Sequence, residues 1–256
     1  VELVAGTVVF ADKKAGTNRP VNVKAGEDFK FKLIGDDAGN YTLAQPEGLT
    51  GTIEQRTLTV SGTTIRTKPY DGNTDAEVEN AGTLGGVQSD DDGNLDDVTL
   101  VAGTVVFADK NAGTNNVTVT GDFTLDGTDK GNYTLTQPSG LKGTITKKSI
   151  TVAPGTYKVT KPYDGTTAPG TASGALNVTG ILPADEATVS VVPGTIPAYT
   201  NANVGTYTLA LPISITGDDT YHNYRIANAG SIVNVPAEIS QTAGQVTNIE
   251  DLSKTY

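Results

Sequence analysis

Three groups of residues have types and spacings that could do chemistry. The densest is SDDDGNLDD at 89–97, where Asp90, Asp92, Asn94 and Asp96 alternate like the early oxygen ligands of a calcium loop, with Gly93 at the turn. The bidentate Glu that would close such a loop is replaced by Val101, and ILPADEATV at 181–189 keeps only Asp185 and Glu186. A solvated acidic loop is the simpler reading, and calcium is the one cofactor left open. The second group could form a cross-link. A lysine amine joins an asparagine carboxamide when the amine is neutral and a neighbouring acid protonated, states that an apolar site favours. Lys68, Lys161 and Lys254 recur in one frame, and Asn40, Asn132 and Asn223 in another, with Asp71 and Asp164 close to the lysines. Lys13 and Lys110 also recur, but Asn201 or Ala202 stands in that slot of the last repeat. A lysine at a strand end usually keeps its amine in water, which weighs against the bond. The third candidate is His222, the single histidine in a chain without cysteine. A catalytic base needs an oriented partner, none is evident, and no phosphate-binding fingerprint occurs, so an enzyme is not expected.

The elements that would position these residues come in repeats. VAGTVVFADKKAGTN at 4–18 returns as VAGTVVFADKNAGTN at 101–115, and GLTGTI at 48–53 returns as GLKGTI at 140–145. GNYTL occurs at 39–43 and 131–135, and HNYRI at 222–226 fills that slot again. TKPYDG at 67–72 returns at 160–165, and SKTY at 253–256 opens a further copy. Most intervals are 91 to 93 residues; the first block alone is 97, because 18–39 carries an insertion. Counted from KPYDG, residues 1–67 are the rear of a first repeat, 68–160 a second, and 161–256 a third that runs into the next motif. A period this long gives each repeat enough chain for its own core, unlike a solenoid of short units.

Apolar and polar residues alternate in TLTVSGTTI, VTLVAGTVVF, NVTVTGDFTL and GTITKKSITV, the two-residue period of strands with one buried face. Turn residues separate them, as in Asp126-Gly127 and Asn111-Ala112-Gly113. The expected fold is all-β, with tandem immunoglobulin-like sandwiches of about 93 residues as beads on a string. DAGNY at 37–41 and DKGNY at 129–133 suggest that Tyr41 and Tyr133, with Tyr224 in the third copy, act as tyrosine corners bonding to nearby backbone. The absence of cysteine excludes disulfides and thiolate metal sites. A net charge of −11 would repel a phosphate backbone, so nucleic acid is not an expected partner. No apolar run reaches the length of a membrane-spanning helix, and any leader or anchor is expected outside this sequence.

KPYDG reads as a corner. The residue before a proline is driven extended, Asp-Gly turns the chain, and the intervening Tyr is placed to bury its ring. Lys68, Tyr70, Asp71 and Gly72, and again Lys161, Tyr163, Asp164 and Gly165, are therefore expected to be structural. KPYDGTT, FADKNAGT and GNYTLTQP, in this order and spacing, resemble the YDG repeat family of large bacterial surface proteins, including haemagglutinin-like adhesins. The resemblance is specific over 68–152 and weaker over 161–253, where AYTNANVGT replaces FADKNAGT. It implies extracellular repeats that pack against their neighbours in the chain and hold a distal domain away from the cell. The alternative is a module binding a host glycan or surface protein, for which Tyr157, Tyr163, Tyr199, Tyr207, Tyr221 and Tyr224 could offer aromatic platforms.

Overall fold

The computed structural model describes residues 1–90, 92–218 and 222–244; Tyr221, Lys254 and Tyr256 lie outside the described residues. The described chain is all-β, with helical geometry confined to short 3-10 turns. It divides into two compact units. The first comprises 1–66, 75–108 and 115–143, and the second 67–74, 109–114 and 144–256. The second unit thus takes in the KPYDG corner at 68–72 and the loop around Asn111, both of which a cut at 160 would give to the preceding repeat.

In the first unit, Val8–Phe10, Gly16–Val23 and Leu49–Ile53 form a three-stranded sheet in that order. Arg56–Ser61 lies between Thr83–Gly85, antiparallel, and Tyr133–Leu135, parallel. Thr104–Phe107 pairs antiparallel with residues 117–121 and with Asp75–Ala76. Val105, Phe107 and Tyr133 are buried, as the alternation predicts. Leu125 is only half-buried, because Thr124–Asp126 forms a separate two-stranded ribbon with Thr99–Val101. Gly143 marks a close approach: a methyl group there would lie 2.7 Å from Phe107 Cε1.

The second unit repeats the three-stranded element. Lys148–Ala153 pairs antiparallel with Asn177–Thr179 and parallel with Tyr224–Ile226. A five-stranded sheet runs in the order Thr171–Ser173, Lys158–Pro162, Ile232–Ser240, Gly205–Thr216, Ser190–Pro193. In Ile232–Ser240 every second residue (Val233, Val235, Ala237 and Ile239) is buried, the burial period of a strand with one face on the core. Ile145 and Thr146 pair parallel with Lys68 and Pro69, which brings the first KPYDG corner into this unit.

Candidate functional site

The first KPYDG corner is held by its own turn and by the strand beside it. Tyr70 N–H donates to the Thr146 carbonyl at 2.8 Å. The Asp71 carboxylate accepts from Asn73 N–H at 3.2 Å, an Asx turn, and Gly72 takes φ 81, which favours glycine. Lys68 Nζ donates to Asp71 at 2.9 Å and to the Asn73 side-chain oxygen at 2.7 Å.

The Tyr70 ring is then buried to 2% exposure. It meets Tyr224 edge-on, with centroids 5.5 Å apart at 78°. The Tyr70 hydroxyl donates to Asp185 Oδ2 at 3.1 Å, and the Tyr224 hydroxyl donates to the same oxygen at 2.6 Å. Leu182 N–H donates to the Tyr224 hydroxyl at 3.1 Å. Burial, then the Asp185 carboxylate, pushes the Tyr70 phenol up to about 12, and the same causes raise Tyr224 further. Beside this cluster the Asn223 side-chain oxygen accepts from Ala112 N–H at 2.7 Å, and its amide donates to Asn111 Oδ1 at 2.9 Å. Tyr70, Asn111, Asp185, Asn223 and Tyr224 line a cleft of about 270 Å³ that Lys110 also borders.

The first unit contains the same constellation with one member missing. The Tyr133 hydroxyl donates to Asp96 Oδ2 at 2.6 Å and accepts from Gln88 N–H at 3.1 Å. Ala15 N–H donates to Asn132 Oδ1 at 2.9 Å. Lys13 Nζ contacts Asp96 at 2.6 Å and Asp129 at 3.2 Å. The Lys13 ammonium, then the Tyr133 hydroxyl, lowers the Asp96 carboxyl, while burial, then Asp96, raises the Tyr133 phenol. The adjoining cleft of about 380 Å³ is lined by Lys13, Ile53, Glu54, Arg56, Gln88 and Asp96, among others. No counterpart of Tyr70 stands in it among the described residues.

Some expected roles change. Tyr163 was expected to anchor its corner, but its ring is 46% exposed. Its backbone is built as at Tyr70: Tyr163 N–H donates to the Ser240 carbonyl at 2.9 Å, Thr166 N–H to Asp164 at 2.9 Å, and Gly165 has φ 76. The cover over the ring differs. Tyr41 is 64% exposed although its pentapeptide nearly copies that of Tyr133. Tyr133 is not a tyrosine corner in the expected sense, since its backbone partner, Gln88, lies 45 residues away in sequence.

Lys161 is not a solvated strand end. Its side chain is 7% exposed, and Nζ donates to the Thr166 and Ala168 carbonyls at 2.9 and 3.1 Å. It also pairs with Asp164 at 2.8 Å and lies 5.7 Å from the Tyr199 ring centroid. This pairing, then the Thr166 N–H bond, holds the Asp164 carboxyl down to about 2. Because Asn223 bonds to Ala112 and Asn111 instead, Lys161 and Asn223 make no contact that could form an amide.

In the acidic loop the Asp90 carboxylate accepts from Asp92 and Asn94 N–H at 3.0 and 2.8 Å, so it closes its own turn. Asp96 faces Tyr133, and among the described residues no group of three or more acidic, histidine or cysteine side chains is placed to hold a metal. His222 is exposed at a turn with φ 52. Tyr157 and Tyr199 are buried, which removes them as an exposed platform; Tyr207 is half-buried and packs edge-on against Tyr199 at 5.3 Å. Sequence reasoning missed that Asp96 and Asp185 share a role. Their common signal is an acid in the same slot of NLDDVTL and PADEATV.

A model of the YDG domain matches residues 54–140 and again 146–231. No curated protein and no solved structure matches the chain. With both matches together spanning well over half of its length, the chain belongs to the YDG domain family and carries the domain twice.

Proposed function

We propose that the chain is a spacer segment of a bacterial surface adhesin, exported and held at the wall or outer membrane. Its modules of about 93 residues, immunoglobulin-like sandwiches in this reading, stand in series and keep a distal binding domain away from the cell. The role is mechanical, without catalysis or a resident cofactor. One observation carries the reading: Asp185 Oδ2 accepts two tyrosine hydroxyls, so the most reactive-looking cluster of the second unit is occupied by packing. The side-chain oxygen of the recurring amide, Asn132 or Asn223, likewise accepts a backbone N–H.

Solution scattering from the full chain tests this. A single compact globule of this length has a radius of gyration of about 18 Å. A spacer should exceed that clearly, and a value near 18 Å would defeat the proposal. The exposed Tyr163 ring favours a second reading, a glycan- or host-protein-binding module. Specific, saturable hits for the full chain on a glycan array would replace the spacer reading with it.

A further inference from the structure

Both clefts hold a tyrosine hydroxyl between a carboxylate and a backbone N–H, but among the described residues only the second also holds an inserted second tyrosine, whereas in the first Lys13 pairs with the carboxylate. In the second unit, the strand beginning at Lys68 lies parallel to Ile145 and Thr146, Tyr70 N–H reaches the Thr146 carbonyl, and the Tyr70 hydroxyl reaches Asp185. Gly72 faces Leu182, where a methyl group would lie 3.4 Å from Leu182 Cδ1. The partners in the strand pairing, the tyrosine N–H bond and the hydroxyl bond each have an equivalent in the first unit. GLTGTI and GLKGTI align Ile53 with Ile145 and Glu54 with Thr146. Gln88 and Leu182 both donate N–H to a tyrosine hydroxyl, and Asp96 and Asp185 both accept from that hydroxyl. Ile53, Glu54, Gln88 and Asp96 all border the cleft of the first unit. Leu49–Ile53 is also the outermost strand of its sheet, so one of its edges carries no strand among the described residues.

We infer that this cleft is a docking site for the extended Lys-Pro-Tyr-Asp-Gly segment of another YDG module. The segment adds as a parallel strand beside Ile53, an instance of recognition by an open sheet edge. Its tyrosine N–H donates to the Glu54 carbonyl. The ring lies against Tyr133, and its hydroxyl donates to Asp96 Oδ2, which has one tyrosine donor where Asp185 Oδ2 has two. Lys13 binds the other carboxylate oxygen, Oδ1. The chemistry selects a phenol on a proline-stiffened strand. A bare aromatic ring lacks the donor, and a sugar lacks the backbone ladder. The inference rests on side-chain geometry and stands whether or not the chain is a spacer.

The test is titration of the full chain with the synthetic peptide TKPYDGT, the sequence of residues 160–166, followed by amide NMR. Saturable shifts are expected at Ile53, Glu54, Gln88, Asp96 and Tyr133. Replacing the peptide tyrosine by alanine should weaken binding at least about tenfold, and by phenylalanine less, because only the hydroxyl bond is lost. On the protein side, Asp96→Asn should weaken the tyrosine peptide while leaving the phenylalanine peptide nearly unaffected. If that variant does not fold, the peptide series on the natural chain still decides. No shifts at millimolar peptide, shifts centred elsewhere, or equal binding of the tyrosine and alanine peptides would overturn the inference. Loss of binding here would leave the scattering test of the spacer role untouched.

Discussion

The corners at 68–72 and 161–165 share the pentapeptide KPYDG and the same backbone bonds, yet one tyrosine is buried and the other exposed. The motif therefore builds a turn and aims a ring, and a separate surface decides whether that ring becomes core. At Tyr70 that surface is Asp185 and Tyr224, residues more than one hundred positions downstream. The lysines differ in the opposite sense: the Lys68 side chain is 18% exposed and that of Lys161 7%. Each ammonium pairs with the aspartate of its own turn, and that of Lys161 also meets two carbonyls and the Tyr199 ring.

The largest effect that could break this comparison is truncation of each ring. Tyr70→Ala should cost about 3–5 kcal/mol, the usual cost of emptying an aromatic core position. Tyr163→Ala should stay within about 0.5 kcal/mol, as a surface change. Denaturant melts of the full chain measure both, and equal costs would remove the distinction. Next in size is Asp185→Ala, which leaves two buried hydroxyls without their shared acceptor and should cost about 2–3 kcal/mol. If the double variant Asp185→Ala, Tyr70→Phe lost as much as the sum of the single changes, the hydroxyl and carboxylate would not be coupled.

A smaller effect concerns alkali. Tyr70 titrates near 12 folded and near 10 in an unfolded chain. The folded state thus favours the neutral phenol, and the associated stability is complete below pH 10 and lost as pH rises toward 12. Urea midpoints of the natural chain should fall over that interval, and Tyr70→Phe should flatten the decline. An unchanged slope in Tyr70→Phe would assign the loss to other groups. The smallest effect lies at the other corner. The Asp164 carboxyl is held near 2 against an ordinary 3.8, so its contribution is present above pH 3.8 and fades as pH falls to 2. Because Asp164 is exposed, Asp164→Asn should change acid sensitivity only slightly, and a large change would mean that the turn bears more of the corner than the geometry indicates.

The strands and turns were legible because their causes are local. Alternation marked Val105, Phe107 and Ile145 as core, and Asp-Gly chemistry marked both corners. Burial of the tyrosines was not legible, since Tyr41 and Tyr133 sit in nearly the same pentapeptide and differ only in what distant chain brings over them. The acidic stretch misled for a related reason. Its alternation resembles a ligand set, but Asp90 closes its own loop and Asp96 turns to a tyrosine 37 residues on. The buried amine of Lys161 was missed because its acceptors are backbone carbonyls, which residue types do not reveal.

The parallel pairing in each three-stranded element also imposes an order in time. Lys148–Ala153, near the start of its YDG match, hydrogen-bonds to Tyr224–Ile226, near the end, and Arg56–Ser61 does the same with Tyr133–Leu135. Loop closure over such separations is slow, so contacts of this kind form late. During synthesis, neither opening strand gains its partner until almost the whole domain has left the ribosome. Tyr70 must wait longer still, until Tyr224 of the following domain has been made and placed. A chain built this way passes through an interval in which the first corner displays an uncovered tyrosine.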